Sequence, residues 1–431
     1  MALIDKASLL MVPSTYEAGK LYNVLPSGNR APDQTGENSG YDQTRADFDF
    51  DRGSNTAATR VNADGLIEKY RENLFTYSND FSNSSWVKYQ GGSVTSGQAD
   101  KDGGTNAWKL NVVSSQSFSG LYKAISGSSV CTISVYAKAG TLDRLGIVNM
   151  SGVDFAVWFD LTNGTIGTQG GSNIDAKIEA VGTDGWYRVS FTQLLTSGDY
   201  FQLKPSDGET TPSGADGFIY IMNAQLESGL VSSEYLNSTS VTGKAGVLID
   251  LPRIDYSSGA GALLLEPQRA NLITQSEYFD ASQWTHYSST ISSNDSTSPD
   301  GFENATRWTS TASGTFLTTS LSISDPCNLS VFVKYVDHPY IQLYSGASGG
   351  YYANFDIQNN TIGTSGYNTS NEKIESYGNG WYRISCTFAN VSAGSTARIG
   401  FAQSLTEGWG GLNTSAVGDV LIYGAQLEAG S

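Results

Sequence analysis

The side chains able to perform acid–base or metal chemistry are few in this 431-residue chain. The two histidines, His286 and His338, have no cysteine or acidic cluster at the spacing of a metal site. Their surroundings argue against zinc binding and against a Ser-His-Asp triad, which needs a histidine oriented by a carboxylate. The sequence also has no glycine-rich phosphate loop followed by a helix, so nucleotide chemistry is not indicated.

Four carboxylates recur at equivalent places in the two halves of the chain and are the candidates for glycoside cleavage, which requires two acids across a cleft. Asp160 and Asp356 flank predicted hairpin turns, where aspartate commonly bonds nearby backbone amides. Glu227 and Glu428 end the last recognisable strand of each half. Because all four are kept in both halves, we expect structural roles and predict a protein that is not an enzyme and has no cofactor.

Six of the eight tryptophans form matched pairs between the halves, which predicts core packing or strand support. The pairs are Trp86 and Trp284, Trp108 and Trp308, and Trp186 and Trp381. Arg188 and Arg383 follow the last pair by two residues, so they lie on the same face of a strand. We therefore expect each arginine to stack on its neighbouring tryptophan.

Two tryptophans have no counterpart and are candidates for ligand binding. Trp158 precedes Phe159, and period-two alternation directs Phe159 into the core and Trp158 away from it. Sugar rings stack on such outward aromatic faces, and Tyr352 is the candidate of the second half. Trp409 lies in the glycine-rich segment 407–411, which predicts exposure. The alternative is that these aromatics pack against a neighbouring subunit or the connector between the halves.

The elements that must position these residues are given by a long internal repeat. Three segments return after 195 to 201 residues, which indicates a duplicated domain with small loop insertions. The pairs are Leu66–Leu74 with Leu264–Leu272, Gly185–Ser190 with Gly380–Ser385, and Ala224–Gly229 with Ala425–Gly430. In both copies a tryptophan follows the first segment by twelve residues.

Within each copy the patterns favour strands. Segments 132–138 and 329–334 alternate apolar and polar residues, and Asn163-Gly164 suits a tight hairpin. Eight to ten short strands per copy predict an all-β chain with two antiparallel sandwiches of jelly-roll type. Segment 230–236 reads as a further short strand.

We predict four regions along the chain. Residues 1–64 form an extended anchoring segment, and residues 231–262 form a packed connector with short strands. The two sandwich modules occupy residues 65–230 and 263–431.

Composition limits the partners. With 25 Lys and Arg against 42 Asp and Glu, the formal net charge is -17, which argues against nucleic-acid and anionic-membrane binding. Cys131, Cys327 and Cys386 do not make a disulfide framework, and we expect Cys131 and Cys327 to be buried thiols on matching strands. No run is long enough to predict membrane insertion, and the start lacks the pattern of a signal peptide.

The order of these motifs, given twice, resembles a module of tailed-bacteriophage structural proteins, especially tail and head fibres. Its marks are the segments 58–68 and 73–81, the Gly-Trp-Tyr-Arg strands, and the closing Ala-Gln-Leu-Glu-X-Gly. The opening segment 11–22 is also similar to the start of such proteins. The resemblance covers essentially the whole chain.

More distantly, each module resembles the jelly-roll carbohydrate-binding domains of polysaccharide hydrolases. In those domains two acidic positions help to hold a structural calcium. Here Ser82 and Asn223 stand at these places in the first copy, and Asp280 and Gly424 in the second. The acidic pair is incomplete in both copies, which argues against calcium.

The resemblances imply a structural protein of the virion, a tail or head fibre or appendage, exposed on the mature particle. It would contact host surface polysaccharide through its jelly-roll modules and other virion proteins through residues 1–64. A homo-oligomer is expected, with a trimer favoured. The alternatives are a purely structural connector or decoration protein, and a binding module that accompanies a depolymerase.

Overall fold

The computed structural model describes residues 20–21, 48–49 and 59–430, except 126–128, 150–155, 172, 196–197, 210–214, 249–251, 265–268, 323–325, 347–349, 392–394 and 410–416. Every regular element in these ranges is a β-strand, as the all-β prediction requires. Most of the predicted anchoring segment 1–64 lies outside the described residues. No helix in the described part of the chain has the length and apolarity needed to cross a membrane.

The strands before the first sandwich are short. They are β1 (Lys20–Leu21), β2 (Phe48–Asp49), β3 (Thr59–Val61), β4 (Ile67–Lys69) and β5 (Arg71–Asn73). β1 pairs with β2, and β3 pairs with β4 in an antiparallel hairpin.

Twelve strands build the first sandwich, more than the eight to ten that the sequence indicated. In chain order they are β6 (Val87–Tyr89), β7 (Ser93–Gln98), β8 (Ala107–Val112), β9 (Gly120–Ala124), β10 (Val130–Lys138), β11 (Arg144–Asn149), β12 (Ala156–Asp160), β13 (Thr165–Gln169), β14 (Asn173–Val181), β15 (Trp186–Leu194), β16 (Tyr200–Ser206) and β17 (Gly217–Ser228). One antiparallel sheet, here named sheet A, has the order β13-β12-β11-β16-β9-β6. The other, sheet B, has the order β14-β15-β10-β17-β8-β7.

The connector carries β18 (Gly243–Ala245), β19 (Ile254–Asp255) and β20 (Ala262–Leu263), and the last two pair with each other. The second sandwich then repeats the first. Its strands are β21 (Trp284–Tyr287), β22 (Ser289–Ser296), β23 (Ala305–Ser310), β24 (Phe316–Ser322), β25 (Cys327–Tyr335), β26 (Tyr340–Ser345), β27 (Tyr352–Asp356), β28 (Thr361–Ser365), β29 (Thr369–Ser376), β30 (Trp381–Phe388), β31 (Thr396–Phe401) and β32 (Asp419–Ala429). Sheet A of this copy runs β28-β27-β26-β31-β24-β21, and sheet B runs β22-β23-β32-β25-β30-β29.

Contacts divide the chain into two compact units, residues Met1–Tyr70 with Ala245–Gln268, and residues Arg71–Lys244 with Arg269–Ser431. Both sandwiches belong to the second unit, and β14 of the first meets β22 of the second. There the Nζ of Lys177 lies 2.6 Å from a carboxylate oxygen of Glu303. Asn294 also donates to Asp175 at 2.8 Å. The region boundaries given above stay predictions.

Each core lies between sheets A and B, where the alternating apolar residues of the two sheets meet. Phe159 is fully buried there, as predicted. Trp86 is also buried, in edge contact with Phe75 and Phe81 at centroid distances of 5.2 and 5.0 Å. Its indole nitrogen donates to the carbonyl oxygen of Tyr77 at 2.9 Å, which anchors the chain at the entry to the sandwich.

The three cysteines are free and buried, which confirms the predicted burial of Cys131 and Cys327. Cys131 lies on β10 and Cys327 on the matching β25, while Cys386 lies on β30. Burial raises the pKa of Cys131 and Cys386, which keeps both thiols protonated.

The repeated Asn-Leu and Ala-Gln-Leu-Glu motifs hold the two ends of each sandwich together. Asn73 is fully buried, and its carboxamide oxygen accepts from the amides of Phe75 and Leu226, each at 3.1 Å. Its amide group donates to the carbonyl of Ala224 at 3.2 Å. In the second copy Asn271 repeats this arrangement, accepting from Leu427 at 3.0 Å. The duplicated motifs therefore join the start of each sandwich to its last strand by hydrogen bonds.

Candidate functional site

Trp158 points away from the core, as predicted, but it is not exposed. Only 5% of the residue is accessible, so the prediction of an open aromatic face at this position is wrong. The indole lies over Gly146, the residue directly opposite it on β11. A methyl group at Gly146 would lie 2.8 Å from Cζ3 of Trp158, so the missing side chain of the glycine makes room for the ring.

The loop between β8 and β9 closes this part of the outer face of sheet A. Lys204 lies opposite Gly146 on β16 and donates from Nζ to the carbonyl of Ser117 at 2.5 Å. The same Nζ lies 5.3 Å from the ring centroid of Phe118 and 5.9 Å from that of Trp158. Burial lowers the pKa of Lys204 to about 8. Trp158 and Lys204 are therefore covered, whereas Phe118 itself is 44% exposed.

The other two candidates come together on the outer face of sheet A in the second sandwich. Tyr352 is half-buried and lies directly opposite Tyr344 of β26. Trp409 is also half-buried, and its ring contacts Tyr344 edge to face at 6.4 Å. The indole nitrogen of Trp409 donates to the carbonyl of Ser345 at 2.7 Å, which fixes the ring orientation. Gly410 and Gly411, from which exposure was predicted, lie outside the described residues.

Two aromatic residues that the sequence reading missed extend this surface. Tyr287 stacks on Phe316 with ring centroids 4.2 Å apart and planes 12° apart. Phe316 in turn lies 6.1 Å from Tyr344. Tyr287 is 46% exposed, whereas Tyr344 is fully buried beneath the surface. We name the set Tyr287, Phe316, Tyr344, Tyr352 and Trp409 the aromatic row.

A cation and two amides complete the row. The guanidinium of Arg398 lies over Phe316 at 5.1 Å and over Tyr344 at 5.7 Å, and it is half-buried. Beyond Tyr344, Gln342 donates to Asn354 at 2.9 Å. Both amides are buried and also donate to the carbonyls of Gly408 and Glu407. Arg398 is therefore the group that offers hydrogen bonds beside the flat aromatic faces, as a sugar ring with its hydroxyl rim requires.

The first sandwich carries a smaller aromatic patch on the same face. Tyr122 contacts Tyr89 and Tyr200 edge to face, each at a centroid distance of 5.5 Å. Tyr200 is 40% exposed. The signal for these residues was present in the sequence, because Tyr122 and Tyr200 each adjoin a core residue and so point outward by alternation.

The matched tryptophans are buried or packed on the cores, as predicted. Accessibility is 1% for Trp86, 5% for Trp284, 0% for Trp308, 2% for Trp186 and 1% for Trp381, and Trp108 packs on the first core while partly exposed.

The predicted stacking of each arginine on the neighbouring tryptophan is wrong. Arg188 lies over Tyr136 at 5.5 Å, and Arg383 lies over Phe332 at 5.8 Å. Each of these rings is directly opposite its arginine on the adjacent strand. Directly opposite residues are closer than residues two apart on one strand, so the cross-strand ring is the nearer partner.

The duplicated acids are bound by neighbouring donors. Asp160 accepts from the amides of Thr162 and Asn163, each at 2.9 Å, and Asp356 does the same with the equivalent turn. Burial would raise the pKa of Asp160, but the bonds from Asn163 and Thr162 and the charge of Arg144 outweigh it and lower the pKa. A carboxylate held ionised in a turn is poorly suited to general acid catalysis.

Glu227 and Glu428 also have local partners. Glu227 accepts from the amide of Ser233 at 2.8 Å, and Gln426 donates to Glu428. The prediction that the protein is not an enzyme is consistent with this bonding and stays a prediction.

Two of the four positions that the resemblance associates with a structural calcium, Asn223 and Gly424, are explained by their backbone conformation. Asn223 and Gly424 both adopt positive φ, 54° and 55°, where the closing strand is bulged against its neighbour. Asparagine and glycine tolerate this conformation better than other residues, which accounts for their presence there. Within the described ranges, no three His, Cys, Asp or Glu side chains are grouped as a metal site requires.

The fold and the aromatic faces define a tandem β-sandwich protein. No family model and no curated protein matches the sequence. Among solved structures the chain is similar to the N-terminal CBM22-1–CBM22-2 tandem domain of Xyn10C from Paenibacillus barcinonensis, with 10% identity and a TM-score of 0.26. The match covers 87% of this chain and 99% of the other. Neither the fold nor a ligand of this chain follows from a similarity of that size.

Proposed function

We propose that this chain is a structural protein of a tailed-phage virion, a fibre or appendage, that contacts host surface glycans through the aromatic row of its second sandwich. The phage assignment is supported by the twice-repeated order of sequence motifs. The glycan assignment is supported by the exposed face of Tyr287, which is stacked on Phe316 and therefore costs little side-chain entropy to use.

The chemistry of the row suits a neutral saccharide. Aromatic faces accept the C–H side of a sugar ring, while the half-buried guanidinium of Arg398 beside Phe316 can donate to its hydroxyls. The net charge of -17 disfavours strongly anionic polymers. A shallow surface of this kind binds weakly, and the proposed oligomer, with a trimer favoured, would strengthen attachment by presenting several copies.

The two sandwiches have different roles in this proposal. The first has its Trp158 surface closed by Lys204 and the loop carrying Phe118, and its exposed aromatic side chains are Phe118 itself and the patch around Tyr122. The second has an open row. We therefore assign the principal glycan contact to the second sandwich.

The test is binding of the purified chain to a panel of bacterial capsular and O-antigen polysaccharides immobilised on a sensor surface. We expect saturable binding that Tyr287→Ala or Trp409→Ala reduces by about tenfold, since each removes a contact of about 1 kcal/mol or more. Tyr367→Ala is the matched control, because Tyr367 is 84% exposed and outside the row. Equal binding by all variants, or loss only in Tyr122→Ala, would reject the assignment to the second sandwich.

A purely structural connector is the second candidate. The observation that favours it concerns the outer face of sheet B in the second sandwich. This face has the same residue types that bind a peptide segment in the first sandwich.

A further inference from the structure

In the first sandwich, a chain segment without strand structure covers the outer face of sheet B. Residues 230–236 were predicted as a strand, but the segment takes its hydrogen bonds from side chains instead of a ladder. The amide of Ser233 donates to Glu227 at 2.8 Å, and its hydroxyl donates to the same carboxylate. The amide of Leu236 donates to Gln225 at 2.6 Å. Beneath the segment, Gln225 is 0% and Glu227 only 5% exposed.

Further side chains fasten the same segment. Arg188 donates to the carbonyl of Ser233, and Asn73 donates to the carbonyl of Leu236 at 2.9 Å. The hydroxyl of Tyr235 lies 2.6 Å from that of Ser78. The outer face of sheet B thus forms hydrogen bonds with backbone N–H and C=O groups of the segment. It also forms hydrogen bonds with the side-chain hydroxyls of Ser233 and Tyr235.

The second sandwich has the same receiving residues. Gln426, Glu428, Arg383, Ser330 and Asn271 stand where the first sandwich has Gln225, Glu227, Arg188, Ser134 and Asn73. We name these five the receiving face.

The receiving face is open where its counterpart is covered. Gln426 and Glu428 are both half-buried, whereas their counterparts are buried. Arg383 donates to the carboxamide oxygen of Gln426 at 2.9 Å and to Ser330 at 3.0 Å. In the first sandwich the carboxamide oxygen of Gln225 accepts from the backbone amide of Leu236. In the second sandwich Arg383 therefore bonds the oxygen that the amide of a bound peptide would use.

We propose that the receiving face binds an extended peptide of another protein chain, with serine or threonine at the position of Ser233 and tyrosine two residues later. The chemistry of the occupant follows from the Leu230–Ser238 segment, whose Ser233 and Tyr235 supply the hydroxyl groups that the first sandwich binds. On binding, Arg383 transfers its hydrogen bond from Gln426 to a peptide carbonyl, and the freed Gln426 oxygen accepts a peptide amide. The site is separate from the aromatic row and does not depend on glycan binding.

The probe is a fluorescein-labelled peptide with the sequence of Leu230–Ser238, titrated with the full chain and followed by anisotropy. We expect saturable binding that Glu428→Ala weakens by about tenfold or more, because it removes a charged acceptor of two hydrogen bonds. A peptide carrying Ser233→Pro lacks the amide donor and should bind equally poorly. Asp102→Ala, at a carboxylate of the first sandwich whose side chain is 67% exposed, is the charge-matched control and should bind normally.

Thermal unfolding of each variant establishes that the fold is intact before the titration is read. Absence of saturable binding at millimolar peptide, or binding that Glu428→Ala leaves unchanged, would overturn the proposal. A dimer of the chain alone that Glu428→Ala dissociates would assign the face to a second copy and equally overturn it.

Discussion

Trp158 and Gly146 lie directly opposite each other on β12 and β11, and the indole covers the glycine. At the same places the second sandwich has Asn354 opposite Gln342, which are joined by a hydrogen bond of 2.9 Å. In the first sandwich a large ring packs over a residue without a side chain. In the second sandwich two side-chain amides form a hydrogen bond with each other. Both partners of this contact therefore differ between the two copies.

This relationship predicts strong coupling between the two positions. Gly146→Ala places a methyl group 2.8 Å from the indole and should lower the free energy of unfolding by about 1–3 kcal/mol. Trp158→Ala should cost about 3–5 kcal/mol through the cavity it leaves. The double change Gly146→Gln with Trp158→Asn, which copies the second sandwich, should be less destabilising than the sum of its single changes. The cycle consists of the parent chain, Gly146→Gln, Trp158→Asn and the double variant, each unfolded with urea. Additive costs in the free energy of unfolding would contradict the coupling.

Stability should increase with pH in the alkaline range because of buried lysine. The pKa of Lys204 is lowered to about 8 by burial, while the unfolded chain holds this proton to a pH of about 10.4. Between these values the unfolded state binds more protons, so the free energy of unfolding rises with pH. Lys204→Met should remove this contribution, on the order of 2 kcal/mol by pH 10.

Lys123, whose pKa burial also lowers to about 8, should show a separate and similar contribution. Lys244→Met is the control, because the side chain of Lys244 is 46% exposed. Unfolding by urea at pH 7 and pH 10 measures the difference. A slope with pH that Lys204→Met leaves unaltered would contradict the burial of this ammonium.

Acid should weaken the turn between β7 and β8. Asp100 accepts from the amide of Asn106 and from those of Gly104 and Asp102, and these bonds lower its pKa to about 2. The contribution is therefore present above pH 4 and lost as the pH falls towards 2. Asp100→Asn should reduce stability at pH 7 and flatten the loss between pH 4 and pH 2.

The matched control for this turn is Asp102→Asn, whose carboxylate is 67% exposed. It should leave both the stability at pH 7 and the acid slope close to those of the parent chain. Urea midpoints at the three pH values decide between these outcomes, and an identical acid slope in Asp100→Asn would contradict the assignment.

The attachment of the first segment of each sandwich to its last strand should depend on one asparagine, Asn73 or Asn271. Asn73→Ala leaves the amides of Phe75 and Leu226 without their acceptor, a cost of about 2–5 kcal/mol for two buried donors. Hydrogen exchange followed by mass spectrometry should show loss of protection in Ala224–Gly229. The matching segment Ala425–Gly430 should stay protected, and Asn271→Ala should reverse the pattern. Uniform loss in both segments would show that the sandwiches do not open separately.

The sequence by itself determined the duplicated all-β architecture. Period-two alternation placed Phe159 in the core, and the repeat separated the matched tryptophans from Trp158 and Trp409. These inferences succeed because strand side chains alternate strictly and because a duplication shows which residues both copies retain.

Only the tertiary structure decided what covers each outward face. Trp158 points outward, yet the β8–β9 loop and the glycine opposite leave it 5% exposed. Tyr287 and Trp409 are far apart in the chain. They belong to one row only because β21, which carries Tyr287, and β26, whose Tyr344 contacts Trp409, are strands of the same sheet. Alternation along one strand fixes a direction, whereas accessibility depends on segments distant in sequence, which no local pattern contains.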